Sequence, residues 1–308
     1  MTNRISTGLG YGVAAGALWG GVFPALQSLS AFSAAEVTAG RFFAYGCMSL
    51  VLIAPLWRGL KGKIGWADIK RLLLLAALGN LVYQVFLAAA VDWVGVAPSA
   101  LVVGILPITI SIAGSRDAGA IGLRSLAEPL AMIGLGIVCM NFDLFSADSD
   151  PSRSLKVAGL ACAFAALALW TLYAVGNARS LARRPSISST EWSLLTGVAS
   201  GALAIPLGAF ALVYPSPAGP TRDWAVFAEV IIVMALGSSV LGNAFWNAAS
   251  RLLPLTFVGQ LVVFETLFGL LYGFLYAGRW PRPLEWAAIV LLPCGVLWSA
   301  RQHARQHG

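Results

Sequence analysis

The chain has 308 residues, of which 58% are hydrophobic and only 11% charged, and its mean hydropathy is +0.80. A soluble domain carries about 25% charged residues, so the composition excludes a soluble globular protein and leaves a polytopic membrane protein. The net charge of +7 comes from basic residues in short loops between apolar runs, which is membrane topology and not a nucleic-acid surface.

Ten apolar runs reach spanning length, about 20 residues each. They fall at approximately 8–29, 35–57, 72–91, 95–115, 123–142, 156–178, 190–213, 225–250, 253–277 and 284–300. The first follows Arg4 and precedes Ser30-Ala31-Phe32-Ser33-Ala34-Ala35, which has the look of a cleavage site. A signal core is only about 7–15 residues long, whereas Leu9 to Leu29 can span, so a retained helix is expected. Glycines at 8, 12, 16 and 20 form a small-xxx-small ladder suited to close helix packing, with Trp19 and Phe23 beside it. The second run contains Arg41, which either snorkels toward Glu36 or faces inward.

The third run carries Gly79-Asn80-Leu81-Val82-Tyr83-Gln84, and the eighth nearly repeats it as Gly242-Asn243-Ala244-Phe245-Trp246-Asn247. On helices, Asn80, Tyr83 and Gln84 share one face, as do Asn243, Trp246 and Asn247. Amides are costly in lipid, so both stripes turn toward other helices or toward a water-filled cavity. They serve either as interhelical hydrogen-bond glue or as the lining of a solute site. The sixth run sets Trp170, Tyr173 and Asn177 on one face, which again fits core packing or a ring-bearing solute.

Glu265 stands midway along the very apolar ninth run, where an ionised carboxylate needs a partner or water. A structural, gating or proton-coupling role is open to it, with Arg41 as a candidate partner. Pro24, Pro107, Pro206, Pro254 and Pro293 interrupt runs and invite kinks. Cys47, Cys139, Cys162 and Cys294 lie within runs without paired spacing and read as packing residues. His303 and His307 read as part of a solvated tail, and no metal site is expected.

Alternating the runs sorts the loops into two sets. One holds Arg4, Arg58, Lys61, Lys63, Lys70, Arg71, Arg116, Arg124, Arg179, Arg183, Arg184, Arg251, Arg301 and Arg305, and the other holds Arg153, Lys156, Arg222, Arg279 and Arg282. Fourteen basic residues against five place both termini in the cytoplasm by the positive-inside rule. The polar stretch 143–155, with Asp143, Asp148 and Asp150, is then an external linker between halves 1–142 and 156–308. Five runs in each half reverse the second half's orientation, so a duplication here is an inverted repeat. Ala17-Leu18-Trp19 matches Ala168-Leu169-Trp170, and Glu36 and Glu191 each precede the second run of a half. One feature resists: Asn80 lies roughly 13 Å from Arg71 and Asn243 roughly 12 Å from Arg251 along their helices. Both depths run from the cytoplasmic side, whereas inversion mirrors them.

Ala17-Leu18-Trp19-Gly20, Arg41-Phe42, Pro107 and Gly134-Leu135-Gly136-Ile137-Val138 resemble the EamA-type members of the drug/metabolite transporter superfamily, over essentially the whole chain. The pattern is most similar to the bacterial aromatic amino-acid exporters of that superfamily. A Gly-Glu pair usual after the ninth helix is Gly278-Arg279 here, so no role passes to that acid. The resemblance implies an all-α integral membrane fold of ten transmembrane helices, as two inverted five-helix repeats around a central cavity. It also implies export of aromatic and other neutral amino acids across the bacterial inner membrane by alternating access, without a cofactor. Trp19, Tyr83, Trp170 and Trp246 are the expected apolar contacts, and Asn80, Gln84, Asn177, Asn243 and Asn247 the hydrogen-bonding ones. Rival solutes are purines, toxic analogues or drug-like compounds. A channel is the rival outside carriers, and an enzyme is disfavoured by the lack of any HExxH, intramembrane His or Ser-His arrangement.

Overall fold

The computed structural model describes residues 2–94, 96–117, 120–141, 153–214 and 222–307. Among these, all regular structure is helical, and the helices join into ten rods. We label them α1 (Arg4–Ser28), α2 (Ala34–Leu60), α3 (Trp66–Val94), α4 (Val96–Val103 and Leu106–Gly114) and α5 (Leu123–Asn141). After residues 142–152, which lie outside the described set with most of the expected linker, come α6 (Arg153–Arg183), α7 (Ser189–Val213) and α8 (Trp224–Leu252). The chain closes with α9 (Leu255–Tyr276) and α10 (Pro283–His307).

Eight rods, all but α4 and α5, are long and apolar enough to cross a bilayer. Their outer surface carries exposed Val51, Leu212 and Leu275, apolar groups that suit acyl chains and not water. The protein is a multi-pass membrane protein. The fourth expected span is broken at Gly104–Ile105, because Pro107 opens its second piece and supplies no amide to the preceding turn. Pro206 and Pro293, in contrast, sit inside continuous helices.

The packing pairs each rod of the first five with rods of the second five. α2 packs along α7 and α5 along α10, while α1 packs on α8 and α9 and α6 on α3 and α4. Small residues make the close crossings possible. A Cβ on Gly46 of α2 would fall 2.5 Å from the Cα of Gly201 on α7, so the two backbones touch there. The glycine ladder of α1 serves the same end: Gly16 and Gly20 lie against the α9 backbone at Phe264–Glu265 and Phe268–Gly269.

Local signals recur between the halves. α2 and α7 both begin with a capping box, Ser33 with Glu36 and Ser188 with Glu191. α3 and α8 are each 29 residues long, and each runs for eleven residues before a π segment, 77–81 in α3 and 235–241 in α8. Those segments open with Ala77-Leu78-Gly79 and Ala235-Leu236-Gly237. In this register Asn80 corresponds to Ser238, each the fifteenth residue of its helix and the latter five residues before Asn243. The Gly79-Asn80 and Gly242-Asn243 likeness is therefore a second, offset similarity.

The C-terminal segment departs from expectation. α10 continues through His303, which is buried where a solvated tail was expected. Its ring stacks on Phe257 at 5.2 Å, and its two nitrogens lie 3.0 Å from Thr256 Oγ1 and 2.9 Å from the Ser299 carbonyl. The four cysteines are free, with Cys47 and Cys294 exposed on the outer surface.

Gly46→Val should push α2 from α7 and cost about 1–3 kcal/mol, the usual range for overpacking, read as a lower melting temperature in micelles. Gly59→Ala, with nothing near its Cβ, should not lower it. Equal melting of the Gly46 variant and the parent would rule out the backbone crossing.

Candidate solute site

The aromatic residues singled out from three different runs meet at the centre of the bundle. The ring of Trp19 on α1 lies 5.3 Å from Trp246 of α8 and 6.3 Å from Trp170 of α6, and Trp170 lies 5.8 Å from Trp246. Tyr173 extends the cluster 5.8 Å from Trp170. Two motif glycines let this happen. Gly242 leaves room for the Trp19 indole, and Gly79 for the Tyr173 ring, where a Cβ would clash. The cluster thus joins both Gly-Asn motifs, each through an aromatic residue of the other half.

The indole nitrogens differ. Trp19 Nε1 donates to the Ser238 carbonyl at 2.9 Å, a group inside the π segment of α8. Trp246 is only 1% exposed, and its Nε1 has no hydrogen-bond partner among the described residues.

The amides divide into two layers. Asn177 donates to Asn247 Oδ1 at 2.7 Å and accepts from Trp192 Nε1 at 2.8 Å, linking α6, α7 and α8 near one end of the bundle. These two amides are tied to the protein itself. Closer to the middle, Asn80 donates to Ser200 Oγ at 2.7 Å, and Asn243 makes a long 3.4 Å contact to the Tyr45 hydroxyl. Tyr45 in turn donates to the Ser193 carbonyl at 2.6 Å. Among the described residues, the Oδ1 atoms of Asn80 and Asn243, the Tyr83 hydroxyl and the Gln84 amide make no hydrogen bond. Tyr83 and Gln84 are half-buried on α3.

Two half-buried charges, Arg41 and Glu265, fall beside this middle layer. Arg41 does not reach Glu36, whose carboxylate pairs with Arg222 at 3.0 Å. Its Nε donates to Ser239 Oγ at 3.1 Å, and its guanidinium stands over Phe42. Glu265 and Tyr83 lie within electrostatic reach of Arg41, yet Glu265 forms neither an ion pair nor a hydrogen bond among the described residues. Arg279, standing where the related pattern has an acid, follows Gly278 at φ +59° and forks onto Glu285 at 2.8 and 2.7 Å.

Sequence reasoning missed Tyr45, Trp192 and Ser200. Tyr45 follows Arg41 by four residues and shares its face, a signal that was present. Trp192 at a helix start has the pattern of an interfacial belt residue, and only the folded geometry shows its bond to Asn177. Ser200 sits in a run of small residues with nothing to mark it.

Unfilled polar groups around a ring-lined centre, in a helical membrane protein, are the makings of a carrier site. Residues 157–301 match the EamA-like transporter family. The whole chain is 31% identical over 310 residues to inner membrane protein YtfF of Escherichia coli (strain K12), covering 96% of this chain and 95% of the relative. The chain belongs to the EamA-like transporter family. A solved crystal structure of another protein, 18% identical, matches this EamA-family fold with a TM-score of 0.78 over 98% of the chain and 99% of its own.

The two indoles separate packing from hydrogen bonding. Trp19→Phe should cost about 1 kcal/mol of stability, since the Ser238 carbonyl loses its donor. Trp246→Phe should cost less or nothing for want of a bond to lose. A greater loss at 246 than at 19, measured by melting without solute, would contradict this arrangement.

Proposed function

We propose that this EamA-family transporter is a carrier that exports aromatic and other neutral amino acids across the bacterial inner membrane by alternating access. The observation that carries the proposal is the Trp19–Trp170–Trp246 cluster with the Trp246 Nε1 left open at its heart. Ring faces 5–6 Å apart, drawn from different rods, suit an aromatic side chain that stacks on them or slips between them as the rods move. The open Oδ1 atoms of Asn80 and Asn243 suit an ammonium group, and the Gln84 amide and Tyr83 hydroxyl suit a carboxylate. Asn177 and Asn247 join the site at its cytoplasmic edge as a layer that parts when the carrier opens inward.

The architecture of the proposal is ten transmembrane helices in two inverted halves, 1–142 and 156–308, with both termini cytoplasmic. The reciprocal packing of the rods, the paired capping boxes and the π segments at matching positions along α3 and α8 support it. The loop charges support the orientation, which thiol labelling of a cysteine at Lys61 from the cytoplasmic side alone would verify.

Transport ratios test the site. In protein matched for yield and melting temperature, Trp246→Ala should weaken counterflow of phenylalanine or tryptophan several-fold more than that of alanine or threonine. That follows from about 0.5–1.5 kcal/mol for a lost aromatic partner. Asn243→Ala should weaken both classes alike. An unchanged ratio for Trp246→Ala would sink the aromatic site.

Glu265 and Arg41 flank the site as a gating or coupling pair. If Glu265 relays protons, Glu265→Gln should abolish uphill transport and spare counterflow, because exchange needs no net proton movement. Equal loss of both activities would make it a structural acid.

A further inference from the structure

A second polar feature lies away from the aromatic cluster. The ends of α1, α4 and α6 and the α8–α9 turn, with His303 of α10, border an open cleft of about 820 Å³. Five arginines, Arg4, Arg116, Arg179, Arg183 and Arg251, line it, with Asp117 as its acid. That volume falls in the range of ligand pockets, about 300–1,000 Å³. Topology accounts for basic residues on this side of the membrane, but not for the convergence of five from separate stretches of chain on one concave surface.

The charge balance leaves the cleft strongly positive. Asp117 is fully engaged by Arg179, at 2.9 and 3.1 Å. Arg251 is anchored through Nη2 to the carbonyls of Arg184 and Ile187, while its Nε is buried without a partner. Arg4, Arg116 and Arg183 are exposed at the rim and meet no acid or carbonyl among the described residues. Three guanidinium groups without a partner acid on one concave surface leave it net positive, which favours an anion there.

The floor says which anion. Ile5, Leu252, Pro254 and Ala182 line the same cleft and are half-buried or exposed, so apolar wall and guanidinium rim are continuous. A small inorganic ion would use only the rim. A phospholipid brings a phosphate to the arginines and an acyl chain to the floor. Basic pockets between helices at the cytoplasmic side are suited to such headgroups. We propose that this cleft binds the phosphate of an anionic phospholipid of the surrounding leaflet, with Arg116 and Arg183 as its main ligands.

Lipid binding in micelles tests this without depending on membrane orientation or on the transported solute, so its failure is separate from failure of the proposed function. Native mass spectrometry should show phosphatidylglycerol retained on the purified protein in preference to phosphatidylcholine. Each lost guanidinium should weaken retention about fivefold, so Arg116→Gln with Arg183→Gln should weaken it about 25-fold. The charge-matched pair Arg58→Gln with Lys61→Gln, in another loop of the same charge set, should leave it unchanged. Neither lined residue carries a structural bond, so the double variant should melt with the parent. Equal weakening by both pairs would reduce the effect to general surface charge and overturn the site. Absence of preference for phosphatidylglycerol would overturn it too. Stabilisation by inorganic pyrophosphate alone, lost in the Arg116/Arg183 variant, would assign the cleft to a soluble phosphate and overturn the lipid.

Discussion

A polar group in the hydrocarbon region has no water to fall back on, and the interior of this protein is arranged by that constraint. Serine and threonine hydroxyls bend back onto carbonyls one turn away, as Ser111, Thr196, Ser200 and Ser238 do. Asn177 and Asn247 satisfy each other, and Trp192 completes them. Tyr83, Gln84, the Oδ1 atoms of Asn80 and Asn243, Glu265 and the Trp246 nitrogen are left open in the middle region of the bundle, and Ser49 Oγ, Gln260 Oε1 and Arg251 Nε are also without partners among the described residues.

Close packing of backbones sets up that region. Glycines 16 and 20 bring α1 onto α9, Gly46 and Gly201 bring α2 onto α7, and Gly79 and Gly242 admit rings instead of helices. The same residue type thus does two jobs. In the first, one backbone meets another, and in the second, a backbone recedes so that an indole or phenol can stand at the centre. The π segments just before or at these glycines widen the helix locally, and such bulges frequently accompany functional sites.

Much of this was legible. Apolar run lengths matched eight rods long enough to cross a bilayer, because its thickness fixes how long a spanning helix must be. Trp19 and Trp170 stood out because an indole at mid-span has no interfacial partner, and they do meet. The division of the amides was not legible, since Asn177 and Asn80 look alike in sequence and differ only in what a distant helix offers them. Trp192 offers a donor to the first, and Ser200 offers a hydroxyl to the second. His303 misled for a related reason. A histidine near a basic end reads as solvated, yet a phenylalanine face and two oxygens from α9 and α10 make burial affordable. The Gly-Asn likeness stands out in the sequence, whereas the Ala-Leu-Gly that opens both π segments shows only when the two helices are compared.

The indole cluster does not explain itself as core. In a soluble protein, bringing three tryptophans together removes apolar area from water, and the gain readily outweighs an unmet N–H. A membrane protein has no such gain, because the rings leave an acyl environment as apolar as the one they enter. Aromatic contact supplies about 0.5–1.5 kcal/mol per pair, while a buried donor without an acceptor costs about 1–3 kcal/mol. Trp19 escapes that cost through the Ser238 carbonyl, whereas Trp246 bears it in full. A leucine or phenylalanine at 246 would pack without it. An acceptor arriving from outside the chain would remove that cost, and the carboxylate of the proposed aromatic solute would supply one.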